Sequence, residues 1–268
     1  MIRQAEISKI AYHLRLGEKT IEKDYVLTWV LIAIANSPLK DLLAFKGGTA
    51  IKKIYVPDYR FSEDLDFTLI GEDISNDLLV KHLGDLYPWL LRQANIQLAM
   101  DHLDEHKSSN FAVYLNYSGP LNAQLDKRAL KIDFSRDEVL VFPLVNRPVK
   151  AQYSDCTQEK ANITAYTMEE ILSEKLRSLL TRSEPRDLFD VHYIMTHQMA
   201  DVDAIAFRCV PKFEIKGLHM EDLGTVLVRK QKVFKQYWHS RLDGQLPEIP
   251  EFDEVLRETG RLLARNFR

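Results

Sequence analysis

The chain has 268 residues, of which 46% are hydrophobic and 28% are charged, as in an ordinary folded protein rather than a disordered one. The formal net charge of −3 excludes a broadly basic nucleic-acid-binding surface, so any such contact must come from a local patch. The two cysteines, Cys156 and Cys209, cannot form a disulfide framework and lack metal-ligand spacing. Without a signal-like start or an apolar run of bilayer length, the sequence predicts a cytoplasmic protein with no membrane contact.

The first half of the chain contains both helical and strand-like patterns. Apolar residues at helical spacing predict helices over residues 2–15, 20–35, 50–55 and 73–94. Short strands are predicted over 42–45, 111–117 and 130–134, with a turn over 46–49. Residues 64–69 alternate polar and apolar side chains with a period of two, which predicts a strand with one wet face.

The second half is predicted to be mainly helical. Thr167 and Glu170 have the spacing of a capping box, which opens a helix over about residues 167–182. Pro185 begins the next helix, and the pattern then stays helical apart from a break at residues 244–250. The order therefore predicts an α/β half followed by a helical half.

Three acidic residues of the first half are predicted to share one wet surface. Asp64 and Asp66 lie two apart on a strand, so both carboxylates point to the same side. The same alternation places Lys131, Asp133 and Ser135 together on the exposed face of a second strand. If the strands are neighbours, three carboxylates can hold Mg²⁺, which prefers oxygen ligands. Taken alone, an Asp-x-Asp pattern is more often a solvated polar face.

A glycine pair precedes these acids by a short loop. Gly47 and Gly48 stand between a predicted strand and a predicted helix, where they let the backbone approach a ligand closely. A helix N-terminus behind them favours phosphate, although a glycine pair by itself is more often a tight turn. Together with the downstream acids, Gly47, Gly48 and Thr49 predict a site for a nucleoside triphosphate with Mg²⁺.

Several separate blocks of the sequence resemble one family, the AbiEii/AbiGii-type nucleotidyltransferase toxins, whose relatives include the MenT toxins and nucleotidyltransferase components of viral defence systems. The blocks are EKDYVL at 22–27, FKGGTA at 45–50, RFSEDLDF at 60–67, and EEILSEKLR at 169–177 followed by RDLFD at 186–190. The resemblance is specific because the blocks occur in the family's order over roughly residues 20–195.

The resemblance implies a role for each matched residue. It assigns nucleotide binding to Lys46, Gly47, Gly48, Thr49, Ser62, Lys175, Arg186 and Asp190. It assigns metal binding to Asp64, Asp66 and Asp133, and catalytic roles to these three acids together with Lys175 and Asp187. Asp133 would also help to deprotonate the incoming hydroxyl, and Lys175 would neutralise phosphate charge. The helical hairpin is expected to bring Lys175 and Asp187 towards each other.

The resemblance also implies the fold and the reaction. It implies an α+β DNA polymerase β-like nucleotidyltransferase core, here residues 1–160, and a mainly helical C-terminal domain, residues 161–268. It implies transfer of a nucleoside monophosphate from a nucleoside triphosphate with release of pyrophosphate, with Mg²⁺ as the cofactor and Mn²⁺ as its substitute. The expected acceptor is RNA, the 3′ end of tRNA. The expected partner is an antitoxin resembling a winged-helix DNA-binding protein, in a toxin or phage-defence effector system.

Two local basic patches are candidates for contact with the acceptor RNA. The first comprises Arg229, Lys230, Lys232 and Lys235 with Tyr237 and Trp238, which together offer phosphate contacts and a stacking surface. The second comprises Arg257, Arg261, Arg265 and Arg268 on one stripe of the last helix. For both, the alternative is an ordinary solvated helix face.

Three other functions are compatible with parts of the sequence. The same active site would serve to place a nucleotide on a protein hydroxyl. A non-catalytic nucleotide- or RNA-binding module would keep the pocket without turnover. A glycosyltransferase would use Asp-x-Asp with a sugar nucleotide, but this leaves the Gly47–Gly48 pair and Asp133 unexplained.

Overall fold

The computed structural model describes residues 1–71, 74–105, 110–136, 138–156 and 161–267. The helices are α1 Gln4–Leu14, α2 Glu18–Ala35, α3 Gly47–Ala50, α4 Asn76–Ala94, α5 Met168–Thr181, α6 Pro185–Thr196, α7 Val202–Arg208, α8 Val210–Glu214, α9 Leu223–Leu242 and α10 Phe252–Asn266. A π-helical turn, Ile51–Tyr55, continues α3. The strands are β1 Leu43–Lys46, β2 Asp64–Leu69, β3 Gln97–Glu105, β4 Phe111–Ser118, β5 Ala129–Ser135, β6 Val145–Pro148 and β7 Asn162–Ala165.

The strands form one mixed sheet in the order β3-β4-β5-β2-β1-β7-β6. The β2–β5 and β1–β7 pairs are parallel, and the other pairs are antiparallel. The chain divides into two compact units, of which the first comprises Met1–Glu138 with Leu144–Ala165 and the second Val139–Pro143 with Tyr166–Arg268. The predicted α+β class, with a mixed sheet and a helical C-terminal region, is confirmed. The predicted domain boundary at 160/161 stays a prediction.

Alternation along the central strands of the first unit separates a packed face from a wet one. Phe67 of β2 and Phe111 of β4 both stack on Phe134 of β5, with ring centroids 6.0 and 4.8 Å apart. These rings are almost fully buried, whereas Asp66 and Asp133, one position away along their strands, are only half-buried. The apolar face therefore forms the core, and the other face carries the polar side chains.

Helix α2 is buried nearly all round, including two acids of its first half. Glu22 accepts hydrogen bonds from the guanidinium of Arg128 and from the N–H of Leu121. Asp24 accepts from the Lys53 ammonium and the Tyr153 hydroxyl, both at 2.7 Å. Buried charges must be paired in this way, so these two residues of the EKDYVL block hold the first unit together.

The second unit is helical and is built on α5, α6, α9 and α10, which pack against one another. Its core includes Leu176, Ile194, Phe234 and Trp238, all fully buried. Segment 139–143 belongs to this unit because the N–H groups of Val141 and Phe142 donate to Glu170.

The structure corrects the predicted turn at 46–49 and adds three strands. Lys46 ends β1, and Gly47 already begins α3, so no separate turn lies between them in this described segment. Strands β3, β6 and β7 were not predicted. The bulge between Met100 and His102 breaks the period of two in β3, and the other two strands are only four residues long.

The predicted start of α5 is confirmed, whereas its capping box and the start of α4 differ from the predictions. The capping box at α5 is half formed, because the Thr167 hydroxyl accepts from the Glu170 N–H but the Glu170 carboxylate bonds Lys212 and segment 139–143 instead. Helix α4 begins at Asn76, capped by Ser75, and the predicted start at Asp73 lies outside the described residues. Among the described residues, no helix combines the length and apolar character needed to span a membrane.

Candidate active site

The parallel pairing of β2 and β5 brings the predicted acids of the first unit side by side. Asp66 is the direct register partner of Asp133, and Asp64 is the partner of Lys131. Because directly paired residues point to the same side of a sheet, all four side chains lie on the wet face. The strands that carry Asp64 and Asp133 are therefore adjacent, which is the condition for Asp133 to join the other two carboxylates.

Charge on this face is balanced between acids and a lysine. Burial raises the pKa of Asp64, the nearby Asp133 carboxylate raises it further, and Lys23 and Lys131 act in the opposite direction. The Lys131 ammonium lies 2.7 Å from the Asp133 carboxylate. The site thus holds more carboxylate than its own lysine neutralises.

The donor set suits a hard divalent cation, since carboxylate oxygens are the ligands that Mg²⁺ prefers. A cation would relieve the repulsion that Asp133 exerts on Asp64. Within the described residues, however, no three His, Cys, Asp or Glu side chains gather closely enough to surround a metal ion. Asp64, Asp66 and Asp133 as metal ligands therefore stay a prediction, and Lys131 would have to release Asp133.

The glycine pair fits against the same acids. Gly47 has a φ of 78°, and a Cβ at this position would overlap the Asp66 carboxylate. At Gly48 a Cβ would come within 2.6 Å of the buried Arg60 guanidinium. The Thr49 hydroxyl donates to the Asp64 carbonyl at 2.5 Å, which ties the start of α3 to β2. Close packing therefore requires glycine at both positions. A backbone that closely approaches a ligand also requires glycine.

The other predicted nucleotide-binding residues of the first unit lie beside these elements. Lys46 of β1 is the register partner of Asp66 of β2. The buried ammonium of Lys46 lies 3.8 Å from the Glu138 carboxylate. Ser62 is half-buried in the loop directly before β2. Their roles in nucleotide binding stay predictions.

The remaining predicted residues form a separate cluster in the second unit. The Lys175 ammonium lies 2.8 Å from both Asp187 and Asp190, whose carboxylates are almost fully buried. Arg182 adds a two-bond contact to Asp187, at 2.7 and 3.2 Å. Burial raises the pKa of Asp187, but the charges of Lys175 and Arg182 outweigh burial and hold this pKa below its ordinary value.

The helical hairpin thus brings Lys175 and Asp187 together, as expected. Arg186, the neighbour of Asp187, donates to Glu184 at 3.2 Å.

The first basic patch differs from its prediction. Trp238 is fully buried and donates to the Pro250 carbonyl, so it offers no stacking surface. Lys230 donates to the carbonyls of Leu179, Leu180 and Arg182 at the end of α5. Trp238 is therefore wrong as a stacking residue. Arg229, Lys232, Lys235 and Tyr237 are exposed, and their contact with RNA stays a prediction.

The second basic patch is also mixed with acids. Arg261 and Arg265 line a cavity of about 940 Å³ together with Asp201, Asp203 and Glu258. Arg268 lies outside the described residues. The RNA role of this stripe stays a prediction.

Sequence reasoning missed several charged residues around the predicted ones. Arg182 could have been found from its position five residues before Asp187 in the hairpin. Arg60 lies inside a quoted block, but only folding shows it beneath Gly48. The partnership of Glu170 with the buried Lys212 is hidden in the sequence, because the two residues lie 42 positions apart.

The mixed sheet therefore carries carboxylates on two adjacent strands, with the glycine-led helix α3 beside them. Residues 29–258 match the family described as nucleotidyl transferase AbiEii toxin of type IV toxin–antitoxin systems. The chain belongs to this family and is therefore a nucleotidyltransferase toxin of that class, as its blocks predicted. Membership of a type IV toxin family implies an antitoxin partner and a nucleoside triphosphate substrate, and nucleotidyltransferases generally use a divalent metal.

Solved structures agree with this fold. The fold is similar to that of MenT4, a nucleotidyltransferase toxin from Mycobacterium tuberculosis, with a TM-score of 0.70 and 13% identity over 98% of this chain and 90% of that chain. It is also similar to JHP933 from Helicobacter pylori, with a TM-score of 0.58 and 19% identity over 94% of this chain and 93% of that chain. No curated protein matches the sequence.

Proposed function

We propose that the protein transfers a nucleoside monophosphate from a nucleoside triphosphate to the 3′ end of tRNA, with Mg²⁺ as cofactor and Mn²⁺ as its substitute. The observation that carries the proposal is the pairing of Asp66 with Asp133, with Asp64 on the same face, beside the glycine-led helix. A cytoplasmic toxin with this activity blocks translation by capping the acceptor end, which also suits a phage-defence effector.

The transfer needs little covalent chemistry from the protein. The acceptor's 3′ oxygen forms a bond to the α-phosphorus, the bond from that phosphorus to the bridging oxygen breaks, and pyrophosphate leaves. The hydroxyl proton passes to the Asp133 carboxylate. Positioning and charge stabilisation supply most of the rate in such reactions.

A divalent cation held by Asp64, Asp66 and Asp133 would lower the pKa of the attacking hydroxyl and stabilise the leaving group. The chain's own residues orient the reactants. Backbone N–H groups at Gly47 and Gly48 would bind phosphate oxygens, with Lys46 beside them. Lys175 adds positive charge for the triphosphate, with Asp187 and Asp190 holding its ammonium in place.

The predicted partner is an antitoxin that resembles a winged-helix DNA-binding protein. A second candidate function, transfer to a protein hydroxyl, uses the same residues and differs only in the acceptor. A non-catalytic binding module is disfavoured because the acids needed for chemistry are all present on one face.

The test is incubation of the purified protein with Mg²⁺, each α-labelled triphosphate in turn and total tRNA. We expect label on tRNA and none with an Asp64→Asn/Asp66→Asn variant. The matched control is Asp126→Asn, an exposed acid of the same unit whose side chain is 69% exposed. Label on protein instead of tRNA would contradict the proposed acceptor, and no label with any triphosphate would contradict the transfer.

A further inference from the structure

A row of side chains crosses the wet face of the sheet outward from the acids. Asp64 on β2 pairs with Lys131 on β5, Lys131 pairs with Tyr114 on β4, and Tyr114 pairs with His102 on β3. Since each is the direct register partner of the next, the side chains stand side by side on one face. No role has been assigned above to His102 or Tyr114.

The two rings of this row form a continuous stacked surface. The His102 and Tyr114 ring centroids are 4.2 Å apart with only 12° between their planes, and the Lys131 ammonium lies 5.8 Å from the Tyr114 ring. The His102 side chain is 54% exposed, and its Nδ1 lies 2.8 Å from the Asp101 carboxylate, which orients the ring. The bulge between Met100 and His102 re-aims this part of β3.

The stacked ring pair lies at the surface of the sheet, with His102 exposed and Tyr114 half-buried. Aromatic pairs that serve packing lie in the core, as Phe111 and Phe134 do on the other face of the same strands. Two stacked rings at the surface, next to a lysine, are instead the elements from which single-stranded nucleic-acid sites are built.

The order of the strands indicates whether the nucleoside triphosphate or the acceptor would bind at this row of side chains. The glycine-led helix follows β1, on one side of β2, whereas β5, β4 and β3 extend from the other side. Attacking and leaving oxygens lie roughly in line in phosphoryl transfer. With pyrophosphate leaving on the β1 side, the acceptor hydroxyl approaches from the β5 side, where the row lies.

We propose that His102 and Tyr114 bind the unpaired 3′ end of the RNA acceptor by base stacking, with Lys131 contacting its backbone phosphate. This inference rests on the proposed transfer to RNA and names the part of the sheet that receives the acceptor. The triphosphate's base is bound elsewhere.

The test measures RNA affinity separately from turnover. A 5′-fluorescein single-stranded RNA of about eight nucleotides is titrated with protein without triphosphate, and anisotropy gives Kd. We expect His102→Ala/Tyr114→Ala to raise Kd about tenfold, because loss of one base–ring stack costs about 1–3 kcal/mol. His102→Phe/Tyr114→Phe keeps both ring faces and is expected to retain the wild-type Kd, which also shows that the sheet edge tolerates substitution.

The matched control is Tyr12→Ala/His13→Ala, which removes the same two residue types from the surface of α1, where their rings lie 6.0 Å apart. This control is expected to leave Kd unchanged. In turnover assays, the alanine pair at the row is expected to raise the KM for tRNA and leave the KM for triphosphate unchanged.

An unchanged RNA Kd in the His102→Ala/Tyr114→Ala protein would overturn the inference, even if tRNA labelling succeeds. A raised KM for triphosphate with unchanged RNA affinity would also overturn it and assign the rings to the donor's base. Absence of RNA binding by the wild type, with label on protein, would overturn it in favour of a protein acceptor. If RNA binding depends on both rings while no label is transferred, the inference is supported and the proposed transfer fails.

Discussion

Gly47 has no room for a side chain, because its Cβ would overlap the Asp66 carboxylate and its φ of 78° is strained for other residues. We therefore expect Gly47→Ala to displace Asp66 and lower kcat/KM by about 100-fold, since a displacement near 1 Å at a reacting centre has that effect. The value of kcat/KM is measured from the transfer of labelled nucleotide under initial-rate conditions.

Gly84 provides the control for Gly47. It lies inside α4, and a Cβ there would meet no atom within 4 Å. Gly84→Ala is expected to leave activity unchanged and to add up to about 1 kcal/mol to the free energy of unfolding. Equal activity of the Gly47→Ala protein and the wild type would show that the Asp66 position is unimportant.

Lys175 is shared by two buried carboxylates, so its removal leaves Asp187 and Asp190 without this cation. We expect Lys175→Met to lower the free energy of unfolding by about 3–5 kcal/mol, the usual cost of breaking a buried ion pair. Urea unfolding measures this effect. The proposed role of this lysine in neutralising phosphate would therefore accompany a structural role.

A triple variant separates the two roles. Lys175→Met/Asp187→Asn/Asp190→Asn removes the uncompensated charges together with the lysine, so stability is expected to recover in part. The KM for triphosphate is expected to stay high, because the positive charge is still missing. If the single Lys175→Met variant unfolded at the same urea midpoint as the wild type, the structural role would be refuted.

Asp187 is expected to make the free energy of unfolding depend on pH in the acidic range. Burial raises its pKa, but Lys175 and Arg182 lower it by more, so the folded-state pKa lies below the ordinary 3.8. A carboxylate with a lowered folded-state pKa stabilises the fold above its ordinary pKa, and this contribution is lost as the pH falls through the folded value.

The measurement is the difference in unfolding free energy between the wild type and Asp187→Asn as a function of pH. We expect this difference to be constant above about pH 5 and to shrink below about pH 4. A difference that grows on acidification would have the wrong sign for a lowered pKa.

At the scale of elements, strands with a clean period of two were predictable. Strand β2 was placed at 64–69, as observed, because Leu65 and Phe67 alternate with Asp64 and Asp66. Strand β3 was missed because Asp101 at its bulge disturbs the alternation. The alternation within β4 could have predicted that Tyr114 lies on the wet face, but no sequence pattern could have predicted its stacking partner His102.

The end of α5 is held by a lysine from another helix. Lys230 of α9 donates to three carbonyls of the last residues of α5 and the residue that follows, at 2.6, 2.9 and 2.9 Å. These carbonyls have no partner within their own helix. Lys230→Met is expected to lower the free energy of unfolding by about 1–2 kcal/mol, measured by urea denaturation.

Lys232 is the matched control, since it lies on the same helix and is exposed. Lys232→Met is expected to change stability by less than about 0.5 kcal/mol. Equal stability of the two variants would mean that Lys230 adds nothing to the end of α5.

At the scale of the whole molecule, a net charge of −3 leaves RNA binding to local surfaces. In the densest basic stretch of the sequence, Trp238 lies in the core and Lys230 binds the end of α5, whereas Lys232 and Tyr237 are exposed. Composition could not reveal this, because burial is set by the packing of α9 against α5 and α10.

The candidate site was predictable in its residues but not in all its contacts. Alternation placed Asp64 and Asp66 on one face of a strand and Asp133 on the wet face of another, and the β2–β5 pairing makes them neighbours. The contact of Lys131 with Asp133, and the position of Arg60 beneath Gly48, depend on side chains that meet only after folding.

The most direct test of the central claim compares tRNA with a free 3′ end to tRNA whose terminal ribose has been oxidised by periodate. Labelled nucleotide and pyrophosphate are quantified in the same reaction with Mg²⁺. We predict one pyrophosphate for each nucleotide attached to intact tRNA, and neither product with oxidised tRNA or with Asp66→Asn. Equal labelling of oxidised tRNA, or pyrophosphate release accompanied by label on protein, would contradict transfer to the tRNA 3′ end.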